Sequence, residues 1–264
     1  MIVPGNGIQI AYDDVGTGMP VLFLHPFPLD RSYWAPQLAA LVTRCRCIAP
    51  DSRGFGDTAA TPPYSMDRYA ADAVALLDRL EIDRAVVAGL SIGGYVAFAL
   101  WRNHPERIRA LVLADTRAGA DGDEAREKRR ALIALARDRG TAAVADAQLP
   151  GLVGKRTREK QPDVIEALRH SIERASVAGI TGALEAMMAR PDSTPTLATI
   201  TVPTLIVVGE DDALTPPKEA RAMHESIPRS RLEILAGAGH ASSFERAAAF
   251  NHVLGEFLDS LVES

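Results

Sequence analysis

At 264 residues, with 24% charged residues and a formal net charge of −5, the chain suits one large α/β domain, or one domain carrying an inserted subdomain. No basic stripe runs along any segment, which argues against nucleic acid and anionic membrane surfaces as partners. No stretch approaches the roughly 18 uninterrupted apolar residues of a membrane span, and Met1 to Ile10 lacks a basic region followed by an apolar run, so a cytoplasmic protein is the default expectation.

In chain order, Ile8 to Val15 alternates like a strand and stops at the turn signal Gly16-Thr17-Gly18. Val21 to Leu24 is a continuous apolar run, as expected of a strand buried on both faces. Cys45 to Ala49, Arg84 to Ala88, Ile108 to Ala114, Thr204 to Val208 and Leu232 to Leu235 read the same way. Cys45 and Cys47, the only cysteines, fall on one face of their strand, where a disulfide across i,i+2 would strain the backbone. With no further ligands at metal spacing nearby, they read as buried structural thiols. Between the strands, Ala70, Ala73, Val74, Leu77 and Leu80 form one helical stripe with Ser65 as N-cap. Ile92 to Trp101 is apolar nearly all round, as in a helix packed deep against a sheet. The alternation of strands and helices implies an α/β fold with a mostly parallel central sheet.

From about Asp121 to Pro195 the alternation breaks into charged amphipathic helices. Acids at Asp121, Asp123 and Glu124 suit a helix N-terminus, Gly140 suits a helix stop, and further helices are expected over Pro162 to Ala178 and Ile180 to Ala189. The expected organisation is a core of residues 1–120 and 196–264 with a helical cap over 121–195, because long inserts in such proteins usually cover a site.

Gly89-Leu90-Ser91-Ile92-Gly93 sits between a buried strand and an apolar helix. That is the setting of a nucleophile elbow, where small residues two before and two after the serine let strand and helix pass. A serine needs a base, and of six histidines His240 lies in Gly237-Ala238-Gly239-His240 after the last expected strand, at the ligand-binding edge of a parallel sheet. His25 also follows a strand but its neighbours suit another role; His104 reads as a helix C-cap, and His170, His224 and His252 as surface or packing positions. An acid must orient the base, and Asp212 in Gly209-Glu210-Asp211-Asp212 is the candidate, with Glu210, Asp211 and Asp115 as neighbouring alternatives. Donors for an oxyanion are expected from the backbone N–H of Ile92 and of Phe27, the residue in His25-Pro26-Phe27-Pro28 flanked by prolines that have no N–H. Nothing in the pattern requires a metal or other cofactor.

These segments, with Asp51-Ser52-Arg53-Gly54-Phe55-Gly56 and Gly239-His240, resemble α/β-hydrolases close to carboxylesterases, 3-oxoadipate enol-lactonases and cofactor-free haloperoxidases. The resemblance covers nearly the whole chain. It implies a Ser91 nucleophile, Asp212 and His240 as acid and base, Phe27 and Ile92 as oxyanion donors, and a four-helix cap. One departure is Pro26, where the family usually has glycine. The expected substrate is a small-molecule carboxylic ester or lactone; cleavage of a carbon–carbon bond and perhydrolysis are rival chemistries for the same residues, and a ligand receptor is a further alternative. Trp34, Tyr95, Met187, Met188 and Leu214 are candidates for the pocket wall, as is Phe27, and Arg137, Arg156 and Arg174 are candidates for a cation opposite a substrate carboxylate. Oligomeric state is left open.

Overall fold

A computed structural model describes residues 1–262. Its strands are β1 (Ile2–Gly5), β2 (Ile8–Val15), β3 (Met19–Leu24), β4 (Cys45–Pro50), β5 (Ala85–Leu90), β6 (Ile108–Ala114), β7 (Thr204–Gly209) and β8 (Ser230–Leu235). They form one sheet in the order β1-β2-β4-β3-β5-β6-β7-β8, antiparallel for β1–β2 and β2–β4 and parallel for the remaining pairs. β5 and β7 are buried along their whole length, which is why they read as unbroken apolar runs. The strand not anticipated is β1, whose Pro4 and Gly5 mask it; an edge position tolerates both.

The helices are α1 (Ala35–Leu41), α2 (Met66–Arg79), α3 (Ile92–Asn103), α4 (Asp123–Leu152), α5 (Lys155–Lys160), α6 (Pro162–Arg174), α7 (Val177–Ala189), α8 (Thr194–Leu197), α9 (Pro217–Ser226), α10 (Ser242–Glu245) and α11 (Ala247–Ser260). Ser65 caps α2, its hydroxyl accepting the Arg68 N–H at 3.0 Å. The buried face of α2 is wider than the apolar stripe suggests. It includes Tyr69, Leu76 and Asp72, the last because its carboxylate pairs with the buried Arg53 guanidinium at 2.7 Å. Every residue of α3 from Ile92 to Trp101 is buried. Cys45 and Cys47 are buried free thiols, and burial pushes the Cys47 thiol up to about 12.

Two features position the site. After β3 the chain steps to β4 on one side, then crosses to β5 on the other. The loops after β3 and β5 therefore diverge, opening a crevice at the carboxyl ends of the strands. Between β6 and β7 the chain leaves the sheet for α4 to α7. Gly140 is a helix stop, as its sequence setting suggests: with φ 76° and ψ −172° it separates two helical segments within the span of α4. The insertion presses on the core where α7 meets the loop after β4: a Cβ at Gly179 would lie 2.0 Å from the Gly54 carbonyl oxygen. Among the described residues, no helix is long and apolar enough to cross a membrane.

Candidate active site

Ser91 stands between the end of β5 and the start of α3 with φ 56° and ψ −114°, a left-handed conformation that strains a residue with a side chain. The strain is held by its surroundings: the Ser91 N–H donates to the Ala114 carbonyl (3.0 Å), and Thr116 Oγ1 donates to the Ser91 carbonyl (2.8 Å). Glycines are required on either side. A Cβ at Gly89 would lie 2.3 Å from the Gly93 carbonyl, and one at Gly93 would lie 2.2 Å from the Leu24 carbonyl oxygen.

On the neighbouring loops, His240 Nδ1 lies 2.9 Å from Asp212 Oδ2, with both side chains buried. Of the four candidate acids only Asp212 meets the imidazole. Glu210 and Asp211 are exposed, and Glu210 accepts the Gly237 N–H. Asp115 is buried but turns to the Gly209 N–H and the Ser242 hydroxyl. The Asp212 carboxylate is further fixed by the Leu214 and Thr215 N–H groups and by Thr215 Oγ1 (2.6 Å). Burial alone would raise its pKa, but the adjacent His240 and these hydrogen bonds outweigh burial and lower it. Asp115 is driven the opposite way, well above the usual carboxylate range, by burial and by the Asp212 charge. With Nδ1 engaged by Asp212, Nε2 is the imidazole nitrogen free to exchange a proton.

His25 is engaged away from the Asp212–His240 pair. Its Nε2 accepts the Ser52 N–H (2.9 Å) and its Nδ1 lies 3.1 Å from the Pro26 carbonyl, contacts that fit a neutral imidazole donating from Nδ1. Burial lowers its pKa in the same sense. The ring thus struts the loop after β3 against the loop after β4. Phe27 in that loop and Ile92 at the first position of α3 have backbone N–H groups without a hydrogen-bond partner among the described residues.

Ser91, His240 and Phe27 line one cavity of about 400 Å³ between the sheet edge and the insertion. Tyr95, Met187 and Leu214 line it too. Trp34 does not: it is fully buried and packs on Phe23 and Phe250, ring centroids 5.1 and 6.2 Å away. Met188 is also away from the cavity, because a neighbour on a helix points about 100° from Met187, and it packs partly buried against the core. Arg137 and Arg174 lie on the surface, paired with Glu185 and Asp57, and Arg156 is exposed. The cations that do line the cavity are Arg117, Lys128 and Arg129.

Sequence reasoning also missed Glu245. Its buried carboxylate accepts the N–H of Gly154 in the insertion and of Gly239 beside the histidine, both at 2.8 Å. No local pattern marks this glutamate apart from a surface one. Among the described residues, no group of three or more His, Cys, Asp or Glu side chains is gathered as a metal ion would need.

The strand order, with parallel strands carrying the serine turn and the acid and histidine loops at one edge, defines an α/β-hydrolase. The chain belongs to the α/β-hydrolase-fold family, whose model matches residues 19–247. Within it, the chain is 31% identical to 3-oxoadipate enol-lactonase 2 of Acinetobacter baylyi, over 89% of this chain and 86% of that protein. It is 30% identical to 2-hydroxymuconate semialdehyde hydrolase of a Pseudomonas species, over 96% and 91% of the two chains. A thermophilic esterase from Thermogutta terrifontis, solved with malate bound, superposes with a TM-score of 0.94 at 39% identity, covering 96% of this chain and 94% of that one.

Proposed function

We propose that this protein is a serine hydrolase that cleaves a small carboxylic ester or lactone through an acyl-enzyme on Ser91. The observation that carries the reading is the buried Asp212–His240 pair on loops that share one cavity with the strained Ser91. His240 removes the Ser91 proton as Oγ attacks the carbonyl, returns it to the leaving alcohol, and then activates water for deacylation. Asp212 holds the Nδ1–H tautomer and stabilises the imidazolium. The Phe27 and Ile92 N–H groups receive the developing oxyanion. Residues 121–195 act as a cap that completes the cavity over a core of residues 1–120 and 196–264, with Tyr95, Met187 and Leu214 on its wall.

The similarity to an esterase and to an enol-lactonase supports this substrate class. A second reading, cleavage of a carbon–carbon bond by the same residues, draws on the similarity to 2-hydroxymuconate semialdehyde hydrolase. Ser91→Ala is expected to abolish hydrolysis of p-nitrophenyl acetate with an unchanged circular dichroism spectrum. Undiminished turnover in that variant would overturn the assignment of Ser91. Slow ester turnover beside rapid cleavage of a β-diketone would favour the second reading, and tight ligand binding without turnover of either would favour a receptor.

A further inference from the structure

The cavity wall carries more positive charge than the ion pairs around it neutralise. Asp121, with no exposed side-chain area, receives three guanidinium groups, from Arg117, Arg129 and Arg190. It is ionised at any ordinary pH, because the arginines hold its carboxyl at about 2 against the opposing effect of burial. Arg190 also donates to the Met187 and Gly119 carbonyls and lies 4.0 Å above the Tyr95 ring, its Nε alone lacking a hydrogen-bond partner among the described residues. Arg117 and Arg129 differ, since both line the cavity. Lys128, also on the wall, is matched by Glu124 at 2.7 Å. Three arginines and a lysine therefore face two carboxylates, leaving two positive charges over.

That surplus is poorly solvated. The side chains of Arg117 and Arg129 are only 25% and 19% exposed, and Arg117 Nε is buried without a hydrogen-bond partner among the described residues. Anchoring the insertion to the core needs one guanidinium per carboxylate; a surplus of half-buried cations beside a buried donor without an acceptor costs stability unless a ligand anion completes it. The rest of the wall mixes apolar side chains, among them Phe27, Leu132, Met187 and Leu214, with the polar Gln148 and Thr215. The cavity thus sets a cationic corner beside a wall of mixed apolar and uncharged polar surface, which suits a small molecule with one anionic end.

We propose that Arg117 and Arg129 form an anion subsite, and that the natural substrate is an ester or lactone bearing a free carboxylate. A planar carboxylate suits the forked donors of arginine. The substrate half of this proposal rests on the serine-hydrolase reading; the anion subsite does not.

The two are tested separately with monoethyl glutarate and ethyl pentanoate, which differ in a carboxylate replacing a methyl group. Calorimetry on the Ser91→Ala protein measures binding without turnover. The acid ester is expected to bind at least about tenfold more tightly at low salt, the equivalent of one charge-assisted pair. Raising salt to about 0.5 M is expected to weaken the acid ester and leave the neutral one unchanged. Arg117→Gln and Arg129→Gln, each added to Ser91→Ala, are expected to cut the preference severalfold, whereas Arg129→Lys keeps most of it. Equal binding of the two esters, or a preference that survives both glutamine variants, overturns the subsite. Because either variant can loosen the insertion, the salt series on the otherwise unaltered protein decides the matter if melting temperatures fall. Hydrolysis is followed with the Ser91 protein: failure to cleave either ester, with the binding preference intact, overturns the hydrolase reading and leaves the subsite standing.

Discussion

Two buried carboxyls near the histidine are pushed in opposite directions, which fits the acid role proposed for Asp212 and not for Asp115. Asp212 is surrounded by donors and an imidazole, and its pKa is lowered. Its contribution to stability is therefore present above the ordinary carboxylate value and is lost as pH falls through the depressed folded value. Asp115 is raised by burial and by Asp212, so the folded chain holds a proton that the unfolded chain releases above about pH 4. Stability on its account falls as pH rises from that ordinary value toward the raised one. Asp115→Asn keeps a neutral acceptor for the Gly209 N–H and removes the titration. Its urea midpoint is expected to decline less than that of the unaltered protein between about pH 5 and about pH 8, with turnover within about tenfold. Asp212→Asn is expected to lower kcat by about 10³–10⁴-fold through the wrong tautomer. The reverse ranking of the two variants in kcat would move the acid role to Asp115.

Glu245 works between elements. Lying at the end of α10, it ties the junction of α4 and α5 in the insertion to the histidine loop, and beside it the Ala241 N–H donates to the Leu152 carbonyl at 2.7 Å. Close packing makes the tie specific: a Cβ at Gly239 would lie 2.3 Å from the Gly154 nitrogen. Glu245→Gln presents an amide NH₂ to one of two N–H donors, leaving that donor unsatisfied at a cost of about 1–3 kcal/mol. Urea denaturation is expected to show this loss, with a fall in kcat larger than any change in KM because the imidazole shifts. Stability equal to the parent protein would refute the clamp. The contrast with β5 and α3 explains what a sequence discloses. Ala85–Leu90 and Ile92–Trp101 announce themselves because burial on all sides demands apolar residues locally, and the glycines around Ser91 answer a local collision. Glu245, Asp121 and the strut at His25 answer partners 91, 69 and 27 residues away, counted to Gly154, Arg190 and Ser52. Trp34 reads as a pocket candidate because a large aromatic near the loop after β3 fits core and cavity equally well, and only packing against Phe23 and Phe250 decides between them.

At the scale of the whole molecule, the cavity owes its shape to seams that fix the insertion on the sheet. Asp121 joins Arg117, in the loop after β6, to Arg129 of α4 and Arg190 at the end of α7; Glu245 holds Gly154; and Gly179 meets Gly54 backbone to backbone, with the Ser176 hydroxyl donating to the Gly54 carbonyl at 3.2 Å. The last seam is the least forgiving. A methyl at Gly179 would be 2.0 Å from the Gly54 carbonyl oxygen and 2.6 Å from its carbon, and no flexible side chain is there to yield. α7 must therefore retreat, carrying Met187 away from the cavity. Gly179→Ala is expected to cost about 1–3 kcal/mol in urea denaturation and to raise KM for small esters by a larger factor than it lowers kcat. Gly151 provides the control. It lies in the last turns of α4 beside the same cavity, but a methyl there meets Leu214 at an ordinary 3.5 Å. Gly151→Ala is expected to leave stability unchanged or raise it by about 0.5–1 kcal/mol, the usual gain of alanine over glycine within a helix. If both variants behave alike, the Gly54–Gly179 contact does not seat the insertion, and the cavity must be held by the Asp121 and Glu245 seams alone.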